Sequence, residues 1–132
     1  MEDALLQRAA ARLAEDPRVL AVYGFGSRLY ADAVGPSSDV DLAVLMGRRL
    51  SLAEELNLRA AVVEELRCDD IDLVVLDQAP PLLRYEVVAA GRRLFTRDER
   101  AAEAFEERTY REYFDTAHLR AVQRQLLREV SR

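Results

Sequence analysis

The chain has 132 residues and a net charge of −5; half of its residues are hydrophobic and a third are charged, the make-up of one soluble globular domain over 1–132. All 19 basic residues are arginine, which excludes lysine chemistry such as a Schiff base or a Walker-type loop, and the acidic balance argues against a surface that binds nucleic acid throughout. One cysteine, Cys68, and one histidine, His118, exclude an internal disulfide and make a structural zinc site untenable. No apolar run reaches the length of a membrane span and no signal-peptide pattern opens the chain, so a cytoplasmic protein is expected.

The spacing of Leu5, Leu6, Ala9, Ala10 and Leu13 predicts a helix over 3–15, with Glu2 and Asp3 suited to its positive end and Asp16-Pro17 ending it. The apolar run 19–23 reads as a buried strand. Gly24, Phe25, Gly26 and Ser27 follow as a tight turn, and a short helical piece over 27–33 is broken by Gly35-Pro36-Ser37-Ser38. Asp39-Val40-Asp41 leads into a second apolar strand over 42–45. Ser51 to Glu54 has the form of a capping box and opens a helix to about residue 67, with Leu52, Leu56, Ala60, Val63 and Leu66 expected on its buried side. Residues 71–76 form a third strand, apolar except for Asp72; it is expected antiparallel beside the second, about 4.8 Å away. Asp69 and Asp70 read as loop residues, and Asp77 as a solvent-facing residue at the strand's far end.

Pro80-Pro81 opens a helix over 82–90, for which Gly91 suits a left-handed cap. Residues 92–95 read as a short edge strand. A last helical region runs from 98 to near the end, with an interruption around Asp115-Thr116. Phe105, Tyr113, Phe114, Leu119, Val122, Leu126 and Leu127 give it an apolar stripe, which Tyr110 extends. These elements make an α+β (two-layer α/β) domain: a small mixed sheet of about four strands, helices packed on it, and a C-terminal helix.

Two chemical devices share the stretch 23–45. Gly26-Ser27 stands at a strand-to-helix turn, where backbone N–H groups and the helix dipole attract phosphate. Glycine lets a ligand approach the backbone, and Ser27 can cap the helix and donate its hydroxyl. Asp39 and Asp41, two apart on a strand, point to one face, roughly 7 Å apart along the chain. At a separation of about 6 Å and an effective dielectric near 20 they repel by about 3 kcal/mol, a cost that solvent or a cation must offset. Mg²⁺ suits the position, being a hard ion that takes one or two carboxylates together with phosphate oxygens. Asp72 on the third strand can join the other two in one acidic cluster; water at the strand mouth or an arginine partner would account for it equally.

Gly26-Ser27 followed by Asp39-Val40-Asp41 resembles the signature of the polymerase-β-like nucleotidyltransferase superfamily. In particular the chain resembles the minimal nucleotidyltransferases, antitoxin partners of HEPN-domain toxins. Arg28 to Ser38 intervene between the serine and the first aspartate, one residue more than the family usually carries, which reads as a loop insertion near Gly35-Pro36. The resemblance implies two Mg²⁺ ions held by Asp39, Asp41 and Asp72, and ATP phosphates held by Gly26 and Ser27 with help from Arg28. It also implies transfer of AMP from ATP to a tyrosine of a HEPN ribonuclease toxin. The expected partners are therefore that toxin and ATP, in a homo-oligomer or a hetero-oligomer with the toxin, without a membrane and without direct nucleic-acid binding. Two other functions fit the same residues: a module that neutralises its partner by docking alone through the last helix, and a nucleotidyltransferase acting on a small molecule such as an antibiotic.

Overall fold

The computed structural model describes residues 2–26 and 40–130. Ser27, Arg28 and Asp39, with the helical piece expected over 27–33, lie outside the described residues. The element order is α1 (Glu2–Leu13), β1 (Ala21–Gly24), β2 (Val40–Leu45), α2 (Leu52–Leu66), β3 (Ile71–Val75), α3 (Pro81–Ala90), β4 (Arg92–Thr96), α4 (Glu99–Asp115) and α5 (Ala117–Val130). The four strands form one mixed sheet in the order β3-β2-β1-β4. The α+β class, the four-stranded sheet and the C-terminal helix agree with the sequence, and the helices cover both faces of the sheet.

Strand alternation assigns the faces. Val22, Val40, Leu42, Val44 and Ile71 pack with Leu6, Ala9 and Leu13 of α1 and Leu58 and Val62 of α2. Ala21, Tyr23, Ala43 and Leu45 pack on the other side with Val87 of α3 and Ala102 and Phe105 of α4. All six residues of β2 are buried, which marks it as the central support of the domain. A fully buried valine or leucine in such a core contributes roughly 1.5–3 kcal/mol.

Four expectations are corrected. First, β3 runs parallel to β2, not antiparallel. The reason lies in α2: a helix of 15 residues carries the chain back to the end of the sheet where β2 began, and a strand–helix–strand crossover then lays the next strand parallel. Second, α2 buries Leu58 and Val62, whereas Leu52 and Leu56 are exposed. Apolar residues surround this helix on several sides, so spacing alone does not fix its inward face. Third, Gly91 has φ −86° and is not left-handed. Glycine is needed there for close approach, because a Cβ would meet the carbonyl oxygens of Val87 at 2.3 Å and Gly24 at 2.7 Å. Fourth, Asp77 does not face solvent idly. Its carboxylate accepts from the amides of Met46 and Gly47, each at 2.7 Å, and so closes the far end of β2 where the ladder to β3 has ended.

The capping box of α2 is complete: Ser51 Oγ accepts from the Glu54 amide, and the Glu54 carboxylate accepts from the Ser51 amide. That backbone bond, with hydrogen bonds from Arg48 and Arg18, holds the Glu54 carboxyl down to about 2. Arg97 ties the end of β4 to the loop before β1, donating to the carbonyls of Ala14, Asp16 and Val19 at 2.5, 2.9 and 2.6 Å. Because the Glu54 carboxyl is depressed in the folded chain, its stabilisation is fully present above the ordinary value of 4.5 and is lost as pH falls toward 2. Urea titrations in that acid window should show Glu54→Gln less pH-dependent than the unaltered chain. At neutral pH Ser51→Ala should lower stability by about 1 kcal/mol.

Candidate active site

The end of β1 meets the starts of β2, β3 and β4 at one end of the sheet. Asp41 is the second residue of β2 and is 7 % exposed. Its register partner across the parallel ladder is Asp72, the second residue of β3. Register partners in a ladder point to the same side, in rows about 4.8 Å apart. Both therefore project from the face that carries Ala43 and Val74, toward the α3 and α4 layer. Asp72 is exposed, since β3 is the edge strand. The pair thus combines a buried carboxylate with an open one.

The turn after β1 closes directly over Asp41. The Phe25 amide donates to the Asp41 carbonyl at 3.1 Å, and Gly26 then adopts φ +86°. A Cβ at Gly26 would lie 2.2 Å from Asp41 Oδ2 and 2.9 Å from its Cγ. No side chain fits there, and the left-handed backbone disfavours one independently. The glycine is required twice, by conformation and by contact with the acid.

The start of β3 is braced separately. Arg59 of α2 donates to the carbonyls of Asp69 at 2.9 Å and Ile71 at 3.3 Å, and the Val40 amide donates to the Asp70 carbonyl at 3.2 Å. These bonds fix the approach to Asp72 against the start of β2. Sequence reasoning missed Arg59; an arginine within an amphipathic helix gives no signal of the carbonyls it will reach. Tyr23, one residue before Gly24 on the same face, is buried and donates to Glu106 at 2.7 Å, and Arg93 pairs with that carboxylate at 3.0 Å. Burial pushes the Tyr23 phenol up, with the hydrogen bond to Glu106 adding to it, so the hydroxyl stays protonated and serves packing.

Of the six residues singled out in the sequence, the structure brings together Gly26, Asp41 and Asp72; Ser27, Arg28 and Asp39 lie outside the described residues. Among the described residues no three acidic, histidine or cysteine side chains form a metal-holding group. The donor chemistry of Asp41 and Asp72 nevertheless fits a hard divalent cation: two carboxylates side by side on adjacent strands, next to a glycine turn. Side by side without a cation they repel.

A family profile described as polymerase beta, nucleotidyltransferase matches residues 7–100. The chain belongs to that nucleotidyltransferase family. The match includes the Gly26 turn and both aspartates. No curated protein matches the chain significantly. Among solved structures, it resembles the tri-AMPylated Shewanella oneidensis HEPN toxin in complex with MNT antitoxin, with 28 % identity, a TM-score of 0.72, and 98 % of this chain and 99 % of that one covered. A toxin–antitoxin structure with AMP-PNP matches at 26 % identity and TM-score 0.73, covering 96 % and 98 %. The MntA–HepT toxin–antitoxin matches at 27 % identity and TM-score 0.70, covering 98 % and 99 %.

Among the described residues no helix is long and apolar enough to cross a membrane. Gly26→Ala should cost at least about 1 kcal/mol, since it adds both a strained φ and a collision with Asp41. Chemical denaturation will measure that loss. Nucleotide binding should fall further than the fraction unfolded accounts for.

Proposed function

We propose that this nucleotidyltransferase transfers AMP from ATP to a tyrosine hydroxyl of a HEPN-domain toxin, and so acts as that toxin's antitoxin. The observation that carries the reading is the register pairing of Asp72 with Asp41, the acid that the Gly26 turn packs against. It lies inside a chain that resembles, over 98 % and 96 % of its length, two solved toxin–antitoxin structures, one with an AMPylated HEPN toxin and another with AMP-PNP. A site of this kind performs phosphoryl chemistry by positioning and charge rather than by a covalent intermediate.

Asp41 and Asp72, joined by Asp39, would hold Mg²⁺. When bound, that ion supplies positive charge to the phosphate oxygens. Gly26 brings the backbone of the turn against Asp41, and with Ser27 and Arg28 it would receive the β- and γ-phosphates. The tyrosine oxygen attacks the α-phosphorus. The bond from that phosphorus to the oxygen bridging to the β-phosphate breaks, and pyrophosphate leaves. The hydroxyl proton passes to Asp72, whose exposed carboxylate can reach an acceptor arriving on another molecule. The buried Asp41 is less accessible to such an acceptor and suits a fixed structural charge.

The test is label transfer from α-labelled ATP to the purified toxin in the presence of Mg²⁺. Asp41→Asn and Asp72→Asn should each reduce transfer on the order of 100-fold or more, equivalent to a few kcal/mol of barrier, and a chelator should abolish it. A second readout is thermal. In chelator, Asp72→Asn should melt above the unaltered chain because it removes a like-charge neighbour of Asp41. Added Mg²⁺ should stabilise the unaltered chain more than the variant. Undiminished transfer by both variants would overturn the reading.

A further inference from the structure

A cavity of about 320 Å³ opens at the end of the sheet away from Asp41 and Asp72. Leu76 and Phe105, both buried, form its floor. Arginines line it from three segments: Arg48 and Arg49 from the turn after β2, Arg84 from α3 and Arg108 from α4. On a chain of net charge −5, four guanidinium groups around one hollow are a local reversal of sign.

The walls are held in place by the protein itself. Asp77 accepts from the Met46 and Gly47 amides, and Gln78 Oε1 accepts from the Leu50 amide at 2.8 Å. These bonds fasten the turn that carries Arg48 and Arg49 to the segment after β3. Arg84 pairs with Glu112 at 3.1 Å, which ties α3 to α4. The charges then divide into spent and unspent. Arg48 is held by Glu54 at 2.5 Å. Of the two acids that line the cavity, Asp77 has each carboxylate oxygen on a backbone amide and Glu112 is paired with Arg84. Arg49 and Arg108 are exposed and join no ion pair among the described residues.

Two unspent guanidinium groups from separate segments, with Arg84 on the same cavity, call for an anion with more than one pair of oxygens to offer. A carboxylate has two oxygens, which a single arginine fork satisfies. A phosphate monoester has three terminal oxygens and a charge near −2, and it takes several such forks. The apolar floor suits an organic group carried on that phosphate, and the volume is that of a small-molecule site. The position separates this anion from the catalytic nucleotide. Asp41 and Gly47 are six residues apart along β2 and its continuation, about 20 Å at the rise of a strand, too far for one triphosphate to touch both.

We propose that this cavity is a second anion site, which binds a small organic phosphate monoester through Arg49, Arg84 and Arg108. The site is separate from the carboxylate end and stands whether or not the antitoxin reading does.

The experiment is titration calorimetry of the full chain at fixed ionic strength with AMP as the probe, in chelator so that the carboxylate end holds no cation. Adenosine, which lacks the phosphate, and a tetraglutamate peptide, which offers only carboxylates, should each bind at least about tenfold more weakly than AMP. Arg49→Gln/Arg108→Gln should raise the AMP Kd at least about tenfold. Both positions are exposed, and the circular dichroism melt of that variant should match the unaltered chain. Arg100→Gln, an exposed position of α4 outside the cavity, should change Kd by less than about twofold. Asp41→Asn should leave Kd unchanged, whereas AMP held at the carboxylate end would respond to it. AMP transfer enters none of these readings, so they stand apart from the test of catalysis. Four results would overturn the proposal: no AMP binding by the unaltered chain, a Kd unmoved by Arg49→Gln/Arg108→Gln, a Kd that Asp41→Asn shifts as far as the arginine variant does, or adenosine or tetraglutamate binding as tightly as AMP.

Discussion

The contact between the bare Cα of Gly26 and the carboxylate of Asp41 governs the functional end of this protein. The turn after β1 must pass over the acid, and it can do so only in a left-handed conformation with no side chain. The acid is itself buried at the start of the most buried strand. A buried carboxylate beside a second carboxylate is an expensive arrangement for a fold to keep. It persists because everything around it is fixed: β2 is packed on both faces, the Phe25 amide ties the turn to Asp41's own carbonyl, and Arg59 pins the segment before Asp72. Sites that hold unfavourable charge geometry in a rigid frame are pre-organised for a ligand that relieves it.

The parallel course of β3 is what delivers Asp72 to that place. In an antiparallel pair the second residue of β3 would have faced the far end of β2, near Met46, and the two acids would have stood at opposite ends of the sheet. The crossover through α2 returns the chain to the end where β2 began, so two residues at equal positions in their strands become neighbours. The opposite end is closed with the same residue type used differently. Asp77 accepts two backbone amides there, and its charge is spent on strand termination. Acidic residues at the two ends of one strand pair therefore divide into one that completes the backbone's hydrogen bonding and one that stands open.

Local chemistry carried most of what the sequence made legible. The capping box at Ser51, the helix start at Pro81, the break at Thr116 and the glycine turn before Asp41 each depend on a few adjacent residues, and each stands as the sequence suggests. What the sequence did not disclose depends on contacts between distant segments. Strand direction followed from where a helix delivered the chain. The buried side of α2 followed from which of several apolar faces met the sheet, so Leu58 won over Leu56. Gly91 owes its identity to the carbonyls of Val87 and of Gly24, the second far away in the chain, and Asp77 owes its role to amides about thirty residues earlier. The three acidic positions were visible as residue types, but the pairing of Asp41 with Asp72 rests on register, which no local pattern encodes.

The two helical layers have divided duties. Helices α1 and α2 bury their apolar faces against the sheet and brace the strands that bear the acids. On the opposite layer α3 and α4 bury only part of theirs, and a ladder of aromatic rings continues outward from Tyr85 through Tyr113 to Arg120. Stacked rings and a cation over their face provide orientation without a large buried area. That suits a helix fixed at its base and open along its length. A chain of this size has too little interior to enclose a macromolecular acceptor within its own walls. An outward helix held by an aromatic stack enlarges the surface without enlarging the core, while the carboxylates stay on the rigid sheet where their spacing is fixed by the ladder.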